Sequence, residues 1–194
     1  SRKEKAINIA RKHKFDIQSV DINTSGPVWE ISDDGQTLIQ PLSSIKGLGE
    51  KAIEQIINHR PFNTVEEFLF HEEISYSKLN KKCLDVLIRS EALTCLMDER
   101  FTGLKHFWYS VAVERPRNLK QLADNIEISK GEGDFSEEDK IQYLVDLTGI
   151  FPLNRVVTEE VLRKLSGKYV PPISEFDPDL QLTWFIPRDI IPKK

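Results

Sequence analysis

Apolar residues recur at helical spacing along most of this chain, with one short interval where they alternate. Residues 2–14 put Ala6, Ile7, Ile9 and Ala10 on one side and Arg or Lys elsewhere, which predicts a helix. Phe15 and Ile17 follow, and Asp21-Ile22-Asn23-Thr24-Ser25-Gly26-Pro27 reads as a loop. Val28, Trp29 and Ile31, then Thr37, Leu38 and Ile39, flank Asp33-Asp34-Gly35 and predict a β-hairpin around an Asp-Gly turn. A short helix is expected over 41–45 and a longer one over 50–60, closed by Pro61 because the residue before proline is pushed out of the α region. Thr64 is placed to cap a helix over 65–70, and Asn80 to cap another in which Leu84, Leu87 and Ile88 repeat. An aromatic-rich helix is expected over 101–113 and a linker over 130–134. Helices are expected over 137–147 and 159–165, and a strand over 180–186.

The most informative segment is Ile45-Lys46-Gly47-Leu48-Gly49-Glu50-Lys51-Ala52, followed by Ile53, Ile56 and Ile57. Two glycines flanking Leu48 allow a tight turn and a close backbone approach without a Cβ in the way. Leu48 would fill the space between two helices, while the amides near Gly49–Lys51 would face outward at a helix N-terminus, the positive end of the dipole. That arrangement binds phosphate, and Lys46 and Lys51 stand beside it. The same letters satisfy the dinucleotide fingerprint, Gly47-x-Gly49-x-x-Ala52. That motif has to follow a buried strand, however, and Pro41-Leu42-Ser43-Ser44 precedes it with no βαβ alternation after.

Composition changes the picture in two places. Hydrophobic residues are 39% and charged residues 30% of 194, a globular profile without an apolar run long enough to span a bilayer. Net charge is −4, and residues 131–194 carry 8 basic against 12 acidic side chains. Contact with a polyanion would therefore rest on local patches and backbone amides in the first half of the chain. Cys83 and Cys95 give neither a disulfide framework nor a four-ligand zinc set, which fits a reducing cytoplasm.

The hairpin and its surroundings resemble the C-family replicative polymerases, the bacterial DNA polymerase III alpha subunits. Asp21-Ile22-Asn23-Thr24-Ser25 is similar to a turn at the end of that family's fingers. Phe62-Asn63-Thr64-Val65-Glu66-Glu67-Phe68-Leu69 and Leu79-Asn80-Lys81-Lys82-Cys83-Leu84-Asp85-Val86-Leu87-Ile88-Arg89 resemble its next two steps, the latter being the second half of a tandem hairpin. The chain departs at Ser90-Glu91-Ala92-Leu93, where the family has Ala-Gly-Ala-Phe, which suggests that the second hairpin packs rather than grips phosphate. Gly149-Ile150-Phe151-Pro152-Leu153 looks like a diverged stretch that precedes the family's oligonucleotide-binding domain.

The resemblance implies a mainly α fold: a tandem helix–hairpin–helix with a small β-hairpin and a helical connector. Its expected segments are 1–35 (end of the fingers and start of the β-hairpin), 36–96 (the tandem hairpins), 97–179 (the connector) and 180–194 (a first strand of the oligonucleotide-binding domain). The implied partner is duplex primer–template DNA, bound without sequence preference through Lys46, Gly47, Leu48, Gly49, Glu50 and Lys51. Lys78, Lys81, Lys82 and Arg89 are secondary contacts, and a sliding clamp is a partner through the parent protein, not a membrane.

No catalytic or metal residue is expected, nor any cofactor in this segment; magnesium would belong to the parent polymerase. Asp177-Pro178-Asp179 has a central proline that suits a palm strand poorly. Asp33-Asp34 reads as turn chemistry, and Gln121-Leu122-Ala123-Asp124-Asn125 lacks the apolar anchors of a clamp motif. His13, His59, His71 and His106 are scattered, with no pairing at ligand spacing. Two readings from other classes stay open: a helix–hairpin–helix protein of DNA repair or recombination, and a protein-interaction module with a vestigial hairpin.

Overall fold

The computed structural model describes residues 16–168 together with 170, 171, 173 and 182–185. The helix expected over 2–14 and the Asp177–Asp179 pair lie outside these. Three strands, β1 (Asp16–Gln18), β2 (Glu30–Ile31) and β3 (Thr37–Ile39), form a sheet in the order β1-β3-β2. The antiparallel β2–β3 pair is the predicted hairpin, turned at Gly35 with φ +69°. Asp34 caps that turn by accepting the Gln36 amide at 2.9 Å, and its bonds to Ser32 and Gln36 hold its carboxyl below the usual range. The parallel pairing of β1 with β3 was not in the sequence expectation, since three residues around Ile17 show no alternation long enough to read.

Helices follow in order. They are α1 (Glu50–His59), α2 (Val65–Phe70), α3 (Lys81–Arg89), α4 (Leu104–Trp108), α5 (Leu119–Ser129) and α6 (Glu137–Thr148). α4 runs on into a π-helical turn, Tyr109–Val113. The mainly α class is the observed one. Thr64 and Asn80 cap α2 and α3 as their side-chain oxygens allow, accepting from Glu67 and Cys83 amides at 3.2 and 3.1 Å. Arg60 is extended at ψ 158° and ends α1 before Pro61.

Ala52, Ile53 and Ile56 of α1, Phe68 of α2, Leu84, Leu87 and Ile88 of α3, Phe107 of α4 and Leu122 of α5 share one core. The described residues from Asp16 through Phe151 form one compact unit, so the tandem hairpins and the first part of the expected connector are built on common ground. The stretch read as a linker is packed instead. The Gly133 carbonyl accepts the His106 amide at 2.9 Å, and Asp134 caps α4 by accepting the Leu104 amide at 2.9 Å. The described residues from Pro152 onward form a second unit, with α7 (Leu153–Val156) and α8 (Glu159–Ser166). There Trp184 makes an isolated bridge, donating to the Pro171 carbonyl and accepting from the Ile173 amide; the rest of the expected strand lies largely outside the described residues.

The Asp21–Ser25 turn is a clip. Asp21 accepts the Asn23 and Thr24 amides, at 2.7 and 3.2 Å. Asn23 then pairs with the backbone of Phe62 in both directions, donating from Nδ2 to its carbonyl and accepting its amide, each at 2.8 Å. Arg60 donates to the Ser25 carbonyl at 2.7 Å, and the Ile22 amide donates to the Ala92 carbonyl at 3.1 Å. One turn thus fastens the end of α1 and the end of α3. Asn23→Ala removes two bonds and strands the Phe62 backbone polar groups, so chemical denaturation should show a loss of about 2–3 kcal/mol. A loss below half a kcal/mol would mean that Phe62 finds other partners.

Candidate nucleic-acid interface

The first hairpin is a β-turn, Ile45 to Leu48, closed by the Leu48 amide on the Ile45 carbonyl at 3.2 Å. Gly47 sits at its third position with φ +89°, a left-handed conformation in which a Cβ is costly. Leu48 is buried, as expected of a plug between helices, while Lys46, Gly47, Gly49, Glu50 and Lys51 are exposed around it. The two glycines have different reasons. Gly49 is the N-cap of α1 at φ −79° and ψ 155°, which any residue adopts, and a Cβ there would meet nothing within 4 Å. What Gly49 supplies is open space in front of the helix.

No side chain caps α1. Its opening amides, at Glu50 and Lys51, have no acceptor within the helix and point along its axis with the positive end of the dipole. The turn itself is held from outside: the Lys46 amide donates to the Leu147 carbonyl near the end of α6, at 2.8 Å. No sequence pattern signalled that tie, because the two residues lie a hundred positions apart.

The secondary contacts divide. A Cβ on Gly47 would stand 3.7 Å from Lys82 Cε and 3.6 Å from Val86, so exposed Lys82 extends the basic rim of the first hairpin. Lys81 is engaged, donating to the Val113 carbonyl at 2.8 Å and lying 3.5 Å from Glu114. Arg89 is bound on two sides to Asp85 and stacks on Tyr143 at 5.0 Å. Lys78 is half-buried, with its carbonyl accepting from the Cys83 thiol at 3.4 Å. Lys46, Lys51 and Lys82 are therefore the cations that rim the first hairpin.

The second hairpin is built for packing. The Ala92 amide reaches back to the Leu87 carbonyl at 2.9 Å and the Glu91 amide to the Ile88 carbonyl at 2.8 Å, the paired bonds of a Schellman C-cap. Glu91 takes the left-handed position at φ 64°, where the family's glycine would stand. Ser90 and Ala92 are fully buried.

Of the remaining sequence candidates, Gln121–Asn125 lies inside α5 with Leu122 buried in the core. His106 is a satisfied core histidine, donating from Nε2 to the Ile126 carbonyl at 2.8 Å and accepting the Thr102 amide at Nδ1. His59 and His71, scattered in the sequence, are brought together with ring centroids 4.8 Å apart. Among the described residues no helix is long and apolar enough to cross a membrane.

Comparison with known proteins meets this geometry at the same residues. Residues 14–103 match the helix-hairpin-helix motif family. The DNA polymerase III subunit alpha of Pseudomonas aeruginosa is 31% identical over 128 residues, 64% of this chain and 11% of that protein. The helix–hairpin–helix segment is thus similar to DNA polymerase III alpha subunits. The subunit of the same name from Pseudomonas fluorescens is 36% identical over 90 residues, covering 45% of this chain and 7% of that one. An error-prone DNA polymerase of Corynebacterium efficiens is 30% identical over 116 residues, 59% of this chain and 10% of its own length. The chain thus spans about a tenth of the polymerases it matches.

The different roles of the two glycines are directly measurable. Gly47→Ala forces a Cβ into left-handed backbone and should lower stability by about 1–2 kcal/mol. Gly49→Ala meets neither strain nor neighbour and should leave the melting temperature within a few degrees. Equal losses from the two would refute the distinction.

Proposed function

We propose that the first hairpin holds duplex DNA by its phosphates, without reading sequence, as part of a replicative polymerase. The observation that carries this reading is the uncapped, exposed N-terminus of α1, cleared by Gly49 and rimmed by Lys46, Lys51 and Lys82. A phosphate oxygen in front of Gly49 would accept from backbone amides, and the lysines would add charge without fixing register on a base. Contacts to phosphate carry no base information, so affinity should be nearly independent of sequence. Buried Leu48 and the Lys46–Leu147 bond hold the turn in shape before DNA arrives, which lowers the ordering cost of binding.

Duplex DNA is the partner because a helix-terminal cradle grips one backbone locally and suits phosphates held at regular spacing. The polymerisation itself, its magnesium, the clamp contact and the cytoplasmic setting belong to the parent protein in this reading. The competing class, a protein-interaction module, would need no open space at Gly49.

With few phosphates neutralised, the log–log salt slope of duplex binding should be shallow, on the order of −2 to −4. Gly49→Val should cut affinity sharply while the protein stays folded. Glu91→Gly, at the packing hairpin, should leave affinity unchanged. Fluorescence anisotropy with two unrelated duplexes, beside circular dichroism of each variant, reads all of these. A folded Gly49→Val protein that binds like the parent would move the interaction-module reading to the front.

The chain alone should incorporate no nucleotide on primed template with magnesium. Incorporation that Asp177→Asn and Asp179→Asn abolish would give the Asp-Pro-Asp stretch the role denied to it above.

A further inference from the structure

Three groups from two neighbouring elements converge away from the hairpin. His59 is in the last turn of α1, His71 is the residue that ends α2, and Glu73 follows two positions later. The His59 and His71 rings lie 4.8 Å apart at 58° to one another, and His59 Nε2 is 3.4 Å from Glu73 Oε2. One ligand atom from each of the three falls within 4.8 Å of the others. We propose that His59, His71 and Glu73 form a binding site for a zinc-class divalent cation, with water completing the shell.

The orientation of His59 carries the argument furthest. Its Nδ1 lies 2.8 Å from the Gln55 carbonyl, an atom that can only accept, so Nδ1 bears a proton and the lone pair of the neutral ring is on Nε2. That lone pair faces Glu73 and His71. A backbone carbonyl behind one imidazole nitrogen is the outer-shell arrangement that fixes the tautomer of metal-ligating histidines. The spacing fits as well. With bonds of about 2.0–2.1 Å, a tetrahedral zinc places its ligand atoms roughly 3.3–3.4 Å apart, and the His59–Glu73 pair already stands at 3.4 Å.

His71 has further to come. Its Nδ1 accepts the Glu73 amide at 3.3 Å, a long bond that coordination by this ring would replace. The Phe62 ring, its centroid 6.2 Å from that of His71 and its plane nearly perpendicular, lies beside it. Glu73 is exposed. Two imidazoles and one carboxylate favour zinc and its neighbours over magnesium or calcium, which prefer oxygen alone. The site also sits at the C-terminal end of α1, where the helix dipole favours a cation. A bound ion would tie the end of the phosphate-facing helix to the turn after α2, and so stiffen the element that presents the hairpin.

The experiment titrates zinc into the chelator-treated 194-residue chain against a chromophoric competitor, with magnesium in excess. One equivalent should bind, with a raised melting temperature, and cobalt in place of zinc should give the visible bands of a four-coordinate nitrogen–oxygen site. His71→Gln and Glu73→Gln should each weaken binding by more than about tenfold, since even outer-shell changes at such sites cost that much. Cys95→Ser should leave binding alone. Melting of the metal-free variants checks their fold, and exposed Glu73 carries the test if His71→Gln is destabilised. Absence of one-equivalent uptake, or uptake that both variants leave unchanged, would reduce the trio to an ion pair beside two stacked rings and overturn the site.

Discussion

The two-way hydrogen bonding of the Asn23 side chain with the backbone of Phe62 anchors the segment just past the hairpin helix, and much else depends on it. A carboxamide has the donor and acceptor of a peptide unit, so Asn23 pairs with an irregular segment much as a strand would. Phe62 has just left α1 and α2 has not begun, so its amide and carbonyl would otherwise lack partners in a mostly apolar setting. Asp21 and Ser25 hold the turn that presents Asn23, and Arg60 binds the carbonyl of Ser25 in return. With the Ile22–Ala92 bond added, one five-residue turn sets α1 and α3 against each other. The exposed N-terminus of α1 is therefore aimed by contacts at its opposite end.

The two hairpins show how one motif is put to different uses by small changes in backbone chemistry. At the first, a left-handed glycine makes the turn and a second glycine leaves space outside it. At the second, Glu91 occupies the left-handed position at a cost of about 1–2 kcal/mol relative to a relaxed backbone. The buried residues around it, Ser90, Ala92 and Leu93, hold that conformation in place. Strain of this size persists where packing over-determines the backbone, which agrees with a hairpin that serves the core. The same division extends to the cations. Arg89 and Lys81 are spent on internal contacts, whereas Lys82 lies beside Gly47.

Much of this was legible in the sequence because it is local. Helical periodicity, the caps at Thr64 and Asn80, the Asp-Gly hairpin and the stop before Pro61 each depend on a few consecutive residues, and the structure places them as read. The alternation Gly47-Leu48-Gly49 also located the turn, since a buried apolar residue between two flexible ones has few other uses. The loss of glycine at position 91 marked the second hairpin as the packing one before any geometry was known.

What only the tertiary structure decided rests on contacts between distant positions. The parallel strand at Asp16–Gln18 exists because β3 offers it an edge, and three residues carry no period of their own. The glycine-rich stretch over 130–134 reads as a linker, yet it caps α4 because that helix's first amides need acceptors. Side-chain availability was equally hidden, for no pattern tells that Arg89 is held by Asp85 and Tyr143. His59 and His71, twelve residues apart at the ends of different helices, meet only through the packing of those two ends. Sequence determined the elements and the turn chemistry, for these are set by neighbours in the chain. Folding determined which amides, cations and imidazoles face the same place, because that depends on how the elements share a core.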